Sequence, residues 1–488
     1  MTAPDVVLIQ ADQLRADCLG VTGNPDVLTP HLDGLAADGT TFTEAFCPYP
    51  VCTPSRYSLL SGLYPHQHGG LDNHSTLAPG IDTIPRVLRR HGYQTTAVGK
   101  MHFTPTYLDV GYQRMILAEQ HGPGRYDDDY HRDLRAAGLA DVVDLTDQEL
   151  TVRPDAPPAY WDSFGTGTSN LPDEWHSTTW IGDRAVEEIR GWAPDTPQLL
   201  HVSFIKPHHP FDPPAGWADR YRPEELTLLP GWRAELPSAD RAWRQAYFDH
   251  DRLDEQRLRA TMAAYYATIS QLDEQVGRIV AALRAQGRYE SSTIVFTADH
   301  GEYLGFHHLL LKHGPMYDAV LRVPLIMKLP GNQRAGRRTD ALASTVDVAP
   351  TVAGICRTGH DPRLPGRDLT DTASRRTHVF AMTRDPDPAY LVRSATHKLI
   401  TTAADEMLFD LRSDPLELRN LARDPDPGAM PELRRAALRW LQFDAPVPPY
   451  VDESAAVLDA PNVPDPDPEA RREHRDYFLA AVRESRTE

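Results

Sequence analysis

Lysine is scarce in this chain of 488 residues. Of its 50 basic residues only five are lysine (Lys100, Lys206, Lys312, Lys328 and Lys398), which leaves 45 arginines. A chain that uses arginine for nearly every positive charge retains lysine where a compact ammonium is needed rather than a planar fork. Cysteine is also rare: Cys18, Cys47, Cys52 and Cys356 are too few and too scattered for a disulfide framework. No run approaches the ~18 consecutive apolar residues of a membrane helix. The start, MTAPDVVLIQADQLR, lacks a basic leader, a long apolar stretch and a small-residue cleavage site. Positive charge is in deficit as well, with 69 acidic residues against the 50 basic ones and a net charge of -19. That balance excludes a nucleic-acid binder and a protein held on an anionic membrane. These absences predict a cytoplasmic protein with neither nucleic acid nor membrane as partner.

Several short apolar runs end abruptly in polar residues. Val6–Ile9 leads into Asp12 and Gln13, Thr95–Val98 into Lys100 and His102, Leu199–Ile205 into Lys206, His208 and His209, and Thr293–Phe296 into Asp299 and His300. Helical patterns lie between them, at Ile84–His91 and from about Asp254 to Arg284. Strands alternating with helices predict an α/β fold, a mostly parallel sheet sandwiched by helices. In such sheets ligands bind beyond the carboxyl ends of strands, where the four polar clusters fall. The stretch Tyr107–Asn170 reads as a loop-rich surface excursion, with Asp127–Asp129 as a solvated acidic loop, and Pro207–Pro237 as a proline-rich one. After about Pro386 short strands at Tyr390–Arg393, His397–Thr401 and Met407–Leu411, then a helix at Pro431–Phe443, predict a small α+β unit. The expected division is therefore 1–385, 386–450 and a tail at 451–488, in which a PDPDP stretch precedes a helix at Glu469–Arg483.

The segment Cys47–Gly62 reads CPYPVCTPSRYSLLSG. Pro54 suits the first turn of a helix and Thr53 its cap, which places Cys52 at a helix N-terminus, where free amides favour anions. Arg56 follows at i+4 on the same face. A nucleophile beside a guanidinium suits attack on a tetrahedral oxyanion ester. The alternative is a buried cysteine beside a structural arginine.

CTPSR resembles the signature of the type I sulfatases, in which the cysteine is converted to formylglycine. PHQHG at Pro65–Gly69, ADQLRAD at Ala11–Asp17, GKMHF at Gly99–Phe103, KPHHPF at Lys206–Phe211 and TADHGEYLGFHHLLLKHG at Thr297–Gly314 match the same family in its order. HKLI and MLFDLRSDPLELRNLA (Met407–Ala422) resemble its small C-terminal domain. The resemblance implies an alkaline-phosphatase-like fold with a smaller C-terminal α+β domain, and a sulfuric ester hydrolase acting on a small anionic ester.

By this resemblance Asp12, Gln13, Asp299 and His300, together with residue 52 itself (Cys52), hold one divalent metal. The oxygen-rich set favours Ca²⁺, with Mn²⁺ and Mg²⁺ as alternatives. Many sulfatases carry Asp and Asn where this chain has Gln13 and His300, and the Gln variant resembles the phosphonate monoester hydrolase branch. Hydrated formylglycine would attack sulfur with help from the metal and Asp299. Arg56 and Lys100 would hold the diol and the sulfate oxygens, His102 would take a proton from the diol, and His208 and Lys312 would bind sulfate and protonate the leaving oxygen. Asn73, in GGLDNH, matches an anion-contacting asparagine of the phosphonate branch, with a turn-forming asparagine as the other reading. Maturation implies a formylglycine-generating enzyme as partner. The alternatives are a phosphonate monoester or phosphodiester hydrolase using the same site, and, more remotely, a non-catalytic anion-binding relative. The terminal helix could cross a subunit boundary in a homo-oligomer.

Overall fold

A computed structural model describes residues 3–243, 247–359, 364–373, 375–384, 387–424, 428–446 and 468–486. Its strands in chain order are β1 (Val6–Ala11), β2 (Thr40–Phe42), β3 (Ala45–Phe46), β4 (Gln94–Gly99), β5 (Arg114–Leu117), β6 (Gln198–Ser203), β7 (Thr293–Ala298), β8 (Leu325–Lys328), β9 (Arg337–Thr339), β10 (Ala343–Ser344), β11 (Val379–Thr383), β12 (Ala389–Arg393), β13 (His397–Thr402) and β14 (Glu406–Asp410). Eight of them form one sheet in the order β5-β4-β6-β1-β7-β8-β2-β9. The run from β5 to β7 is parallel throughout, whereas β8 runs antiparallel to both β7 and β2.

The apolar runs are nearly continuous because both faces of this sheet are buried. Alternate residues feed two cores. Val7, Ile9 and Ala11 of β1 and Ile294, Phe296 and Ala298 of β7 pack on one side, with Leu258, Met262 and Ile269 of the long helix Glu255–Ala285. Val6, Leu8 and Val295 face the other, with Leu59 and Leu60 of the helix Cys52–Ser61 and Val348 and Val352 of the helix Val348–Cys356. Each fully buried aliphatic side chain contributes about 1.5–3 kcal/mol. The long helix begins where its sequence pattern begins, because the Asp254 carboxylate accepts from the Arg257 backbone N–H at 2.8 Å. Among the described residues no helix is long and apolar enough to cross a membrane.

Strands β11–β14 form a separate antiparallel sheet, on which Met430 and Leu433 of the helix Met430–Arg439 pack against Val392, Leu399 and Leu408. This is the expected small α+β unit, although its first strand, β11, precedes the expected change of character at Pro386. The tail helix spans Pro468–Ser485, and residues 464–467 of the PDPDP stretch lie outside the described residues. That helix buries Phe478 and Val482 in the core shared with β1.

The stretch Tyr107–Asn170 departs from its expectation as a loop-rich excursion. It contributes the edge strand β5 and the helices Asp129–Ala136 and Val142–Gln148. Asp127 and Asp128 are buried, not solvated. Asp128 caps the first of these helices through the His131 backbone N–H and also bonds His131 Nδ1, each at 2.8 Å. A buried N-cap carboxylate and a solvated one look identical in sequence.

Gly99, the last residue of β4, adopts φ +95°, and a Cβ there would lie 2.1 Å from the Ser203 carbonyl oxygen of β6. Gly99→Ala is therefore expected to destabilise the protein by about 2–4 kcal/mol, as strain at a special backbone conformation does. Activity should fall with it, since Lys100 follows directly. Urea denaturation checks the first effect, and an unchanged midpoint would contradict the close approach of the two strands.

Candidate active site

The four polar clusters meet because β4, β6, β1 and β7 are neighbours in the sheet and point the same way. Cys52 reaches the same place from the N-terminus of its helix, whose N-cap is Val51. Thr53 is not the cap expected from sequence. Its hydroxyl instead donates to the His102 carbonyl at 2.9 Å, and its backbone N–H donates to Asn73 Oδ1 at 3.1 Å. Asn73 thus supplies its carbonyl to the helix end.

The Cys52 thiol is 0% exposed. Its Sγ lies 3.1 Å from Lys312 Nζ, 3.3 Å from His300 Nε2 and 3.6 Å from Asp12 Oδ1. Burial and the nearby Asp12 carboxylate push this thiol up to about 11, against the pull of Lys312 and Lys100. At neutral pH an unmodified Cys52 is a protonated thiol and a weak nucleophile. All four cysteines are free and buried, in line with the absence of a disulfide framework.

Arg56 lies between the ends of β1, β4, β6 and β7. Its Nε donates to Asp299 Oδ2 at 2.9 Å, and one terminal nitrogen donates to the Lys100 carbonyl (2.6 Å) and Ser203 Oγ (2.8 Å). The other terminal nitrogen lies 3.0 Å from Asp12 Oδ2 and 2.9 Å from Asp299 Oδ2. Four hydrogen bonds and one further ion-pair contact commit the guanidinium to protein acceptors. The guanidinium ties two carboxylates together. Burial raises the cost of ionising Asp12, but Lys100, Arg56 and Lys312 outweigh it and hold this carboxyl well below the usual carboxylate range.

Asp12, Cys52, Asp299 and His300 each bring one ligand atom within 4.8 Å of the others. The chemistry of this set fits a cation. His300 Nδ1 lies 2.9 Å from the Gly301 carbonyl, which can only accept, so that nitrogen carries the proton and the Nε2 lone pair faces the cluster. Burial, followed by Lys312, keeps this imidazole neutral against the opposing pull of Asp299 and Asp12. The Gln13 amide donates through Nε2 to Glu302, while its Oε1 is buried with no hydrogen-bond partner among the described residues. An orphaned amide oxygen beside two carboxylates is an open ligand position. The loop is braced by the long helix, whose Tyr265 hydroxyl donates to the Gln13 carbonyl at 2.6 Å.

On the opposite side, Lys312 Nζ lies 2.7 Å from His208 Nε2, and His208 Nδ1 lies 2.7 Å from the His209 carbonyl. The carbonyl fixes the proton on Nδ1, so Nε2 accepts from the ammonium. Burial and Lys312 hold His208 well below its ordinary value, and burial and Lys100 do the same for His102. His102 sits at φ +57°, with its ring Nδ1 buried and without a hydrogen-bond partner among the described residues. The backbone turn that presents it is held by Glu119, which accepts from the Met101 and His102 N–H groups at 2.9 and 3.0 Å.

Glu119, Gln120 and His121 follow β5, a fifth parallel strand end. Gln120 Oε1 lies 3.2 Å from Lys100 Nζ. The His121 ring stacks on His102 with centroids 5.1 Å apart and meets His208 edge-on at 5.6 Å. Reasoning from sequence missed all three, because a four-residue strand in a polar stretch carries almost no periodic signal.

The five lysines share one property: all are buried. Lys100 meets Asp12 at 2.6 Å, and Lys398 meets Glu417 at 2.6 Å and Asp318 at 2.9 Å. Lys206 pairs with Asp212 and donates to the Pro210 carbonyl at 2.8 Å, which makes it a brace for the Lys206–Phe211 turn. Lys328 donates to the carbonyls of Tyr289, Glu290 and Ser292. Three donors on a tetrahedral nitrogen satisfy acceptors converging from several directions, which a planar guanidinium cannot do in the same volume.

The family model described as Sulfatase matches residues 4–357, and one described as N-sulphoglucosamine sulphohydrolase, C-terminal, matches 305–438. The chain is 28% identical to an arylsulfatase of Clostridium perfringens over 444 residues, covering 86% of this chain and 90% of that protein. It is 29% identical over 505 residues to a multifunctional alkaline phosphatase superfamily protein of Trinickia caryophylli, with 90% and 95% covered. Its structure matches that of a phosphonate monoester hydrolase of Agrobacterium radiobacter with a TM-score of 0.75 at 26% identity, covering 89% and 94% of the two chains.

Proposed function

The chain belongs to the sulfatase family, and from that premise we propose that it hydrolyses a small sulfate monoester to an alcohol and inorganic sulfate, through formylglycine derived from Cys52. The observation that carries this reading is the convergence of Lys312, His300 and Asp12 on Cys52 Sγ at one buried point. A thiol held at about 11 is poorly suited to attack, and hydrated formylglycine supplies an oxygen nucleophile at the same position. A divalent cation held by Asp12, Gln13, Asp299 and His300 beside residue 52 would supply charge neutralisation and acidify a neighbouring hydroxyl. Ca²⁺ is the first choice for this oxygen-rich set, and the imidazole keeps Mn²⁺ and then Mg²⁺ as alternatives.

The protein's own groups divide the remaining work. Lys100 and Lys312 hold sulfate oxygens, and their ammonium charges offset charge that builds during attack. His102, neutral and with Nδ1 free of protein partners, takes a proton from residue 52. The Lys312–His208 pair delivers a proton to the departing alcohol oxygen. Arg56 acts one step back, holding Asp12 and Asp299 in register. Because Cys52 is fully buried, the formylglycine-generating enzyme reaches it only before folding is complete.

A second reading, hydrolysis of phosphonate monoesters or phosphodiesters at the same site, is favoured by Gln13 and His300 in the ligand set and by the likeness to the Agrobacterium radiobacter hydrolase. Mass spectrometry of the peptide containing residue 52 tests the nucleophile, and unmodified cysteine in active enzyme would overturn it. Kinetics on an aryl sulfate and an aryl phosphonate with one shared leaving group tests the substrate class. The expected result is a higher kcat/KM for the sulfate, and the reverse order would replace the first reading by the second.

A further inference from the structure

We propose that Gln120 is a positioning residue that aims the Lys100 ammonium and ties it to the loop carrying His208. This rests on the reading that Lys100 holds a substrate oxygen. The Gln120 side chain is 0% exposed and all of its polar atoms are engaged. Its Nε2 lies 2.6 Å from Asp144 Oδ1 and 2.9 Å from the His209 carbonyl. A carbonyl can only accept, and the Asp144 carboxylate already accepts from Arg125 through its other oxygen. The amide nitrogen must therefore occupy this end, since a flipped amide would set an oxygen against two acceptors. Oε1 is left facing Lys100 Nζ at 3.2 Å.

That fixed oxygen decides where the ammonium points. Lys100 Nζ has three N–H groups. The ammonium forms an ion pair with Asp12 Oδ2 at 2.6 Å, and one N–H donates to Gln120 Oε1. With the charge held by Asp12 and one N–H committed to Gln120, the orientation of the other N–H groups is restricted, whereas a lysine tethered only at Asp12 would pivot about that contact on its flexible stem. Gln120 also grips the His209 carbonyl, and His208 Nδ1 donates to that same oxygen. One buried amide thereby couples the lysine after β4 to the histidine after β6.

The test is a double-mutant cycle on the matured full-length enzyme, read by calorimetric binding of inorganic sulfate and by kcat/KM on an aryl sulfate. Gln120→Leu and Gln120→Met are made in parallel, so that a packing fault in one does not decide the outcome, and both are checked by thermal midpoint. In the wild-type background sulfate binding and kcat/KM are each expected to weaken about 10–150-fold, the range of a lost hydrogen bond to a charged group. In a Lys100→Met background the same change is expected to cost less than about two-fold. Equal losses in both backgrounds would overturn the proposal, because Gln120 would then act elsewhere. No loss in the wild-type background would overturn it as well. If Lys100→Met by itself leaves sulfate binding and turnover intact, the role of Lys100 fails and the proposal falls with it, an outcome separable from the other two.

Discussion

Cys52→Ala is expected to remove turnover by on the order of 10⁴–10⁶ in kcat while leaving stability within about 1 kcal/mol of wild type. The loss is large because the nucleophile and the groups around it act as a unit. Lys312, His300 and Asp12 converge on one atom, and each does little for hydrolysis once that atom is gone. The small effect on stability follows from the same geometry. Sγ sits among charged and imidazole groups that retain one another: Lys312 keeps His208, and Asp12 keeps Lys100 and Arg56. Cys52→Ser separates two mechanisms. A serine hydroxyl occupies the same space and could attack directly, but it leaves no route by which an aldehyde hydrate would release sulfate. It should therefore be as inactive as alanine in steady state. Retention of more than a few per cent of kcat by the serine enzyme would sink the formylglycine route.

The second large effect concerns stability. Arg56→Met is expected to cost about 3–5 kcal/mol, because it leaves a buried carboxylate without its cation. Asp12 retains Lys100 at 2.6 Å, but Asp299 loses both guanidinium contacts and keeps only the Gln13 and His300 backbone N–H groups at 3.0 and 2.9 Å. Arg56→Lys is not expected to restore the loss. One ammonium cannot reach two carboxylates, the Lys100 carbonyl and Ser203 Oγ together. Millimolar Ca²⁺ or Mn²⁺ should recover part of the stability, because a cation that binds only the folded state offsets the unpaired charge. Urea midpoints with and without the cation measure both effects. An Arg56→Met protein within 1 kcal/mol of wild type would show that the two carboxylates do not depend on this guanidinium.

Arg56 and Asn73 show how much of a site residue's surroundings a motif leaves open. Arg56 sets its N–H groups against two carboxylates, and Asn73 gives its Oδ1 to the Thr53 amide. A spacing such as i to i+4 puts a guanidinium on the correct face of a helix without saying which acceptors will stand in front of it. Those acceptors come from β1 and β7, distant in the chain from Cys52.

What the sequence determined by itself is the local grammar. Apolar runs that stop at acidic, basic and imidazole residues mark strand ends, and CTPSR marks a helix N-terminus with a nucleophile on it. A count of five lysines marks places where an ammonium is wanted. Each of these is written in a few consecutive residues, so no partner is needed to read it. Tertiary structure alone decided that β4, β6, β1 and β7 stand side by side, which turns separate strand ends into one site. It also placed Glu119, Gln120 and His121 against Lys100, His102 and His208, from a stretch that reads as surface loop. Strand order and the direction of a buried polar group depend on residues far apart in the chain, and a hydrogen bond is specified by both of its ends.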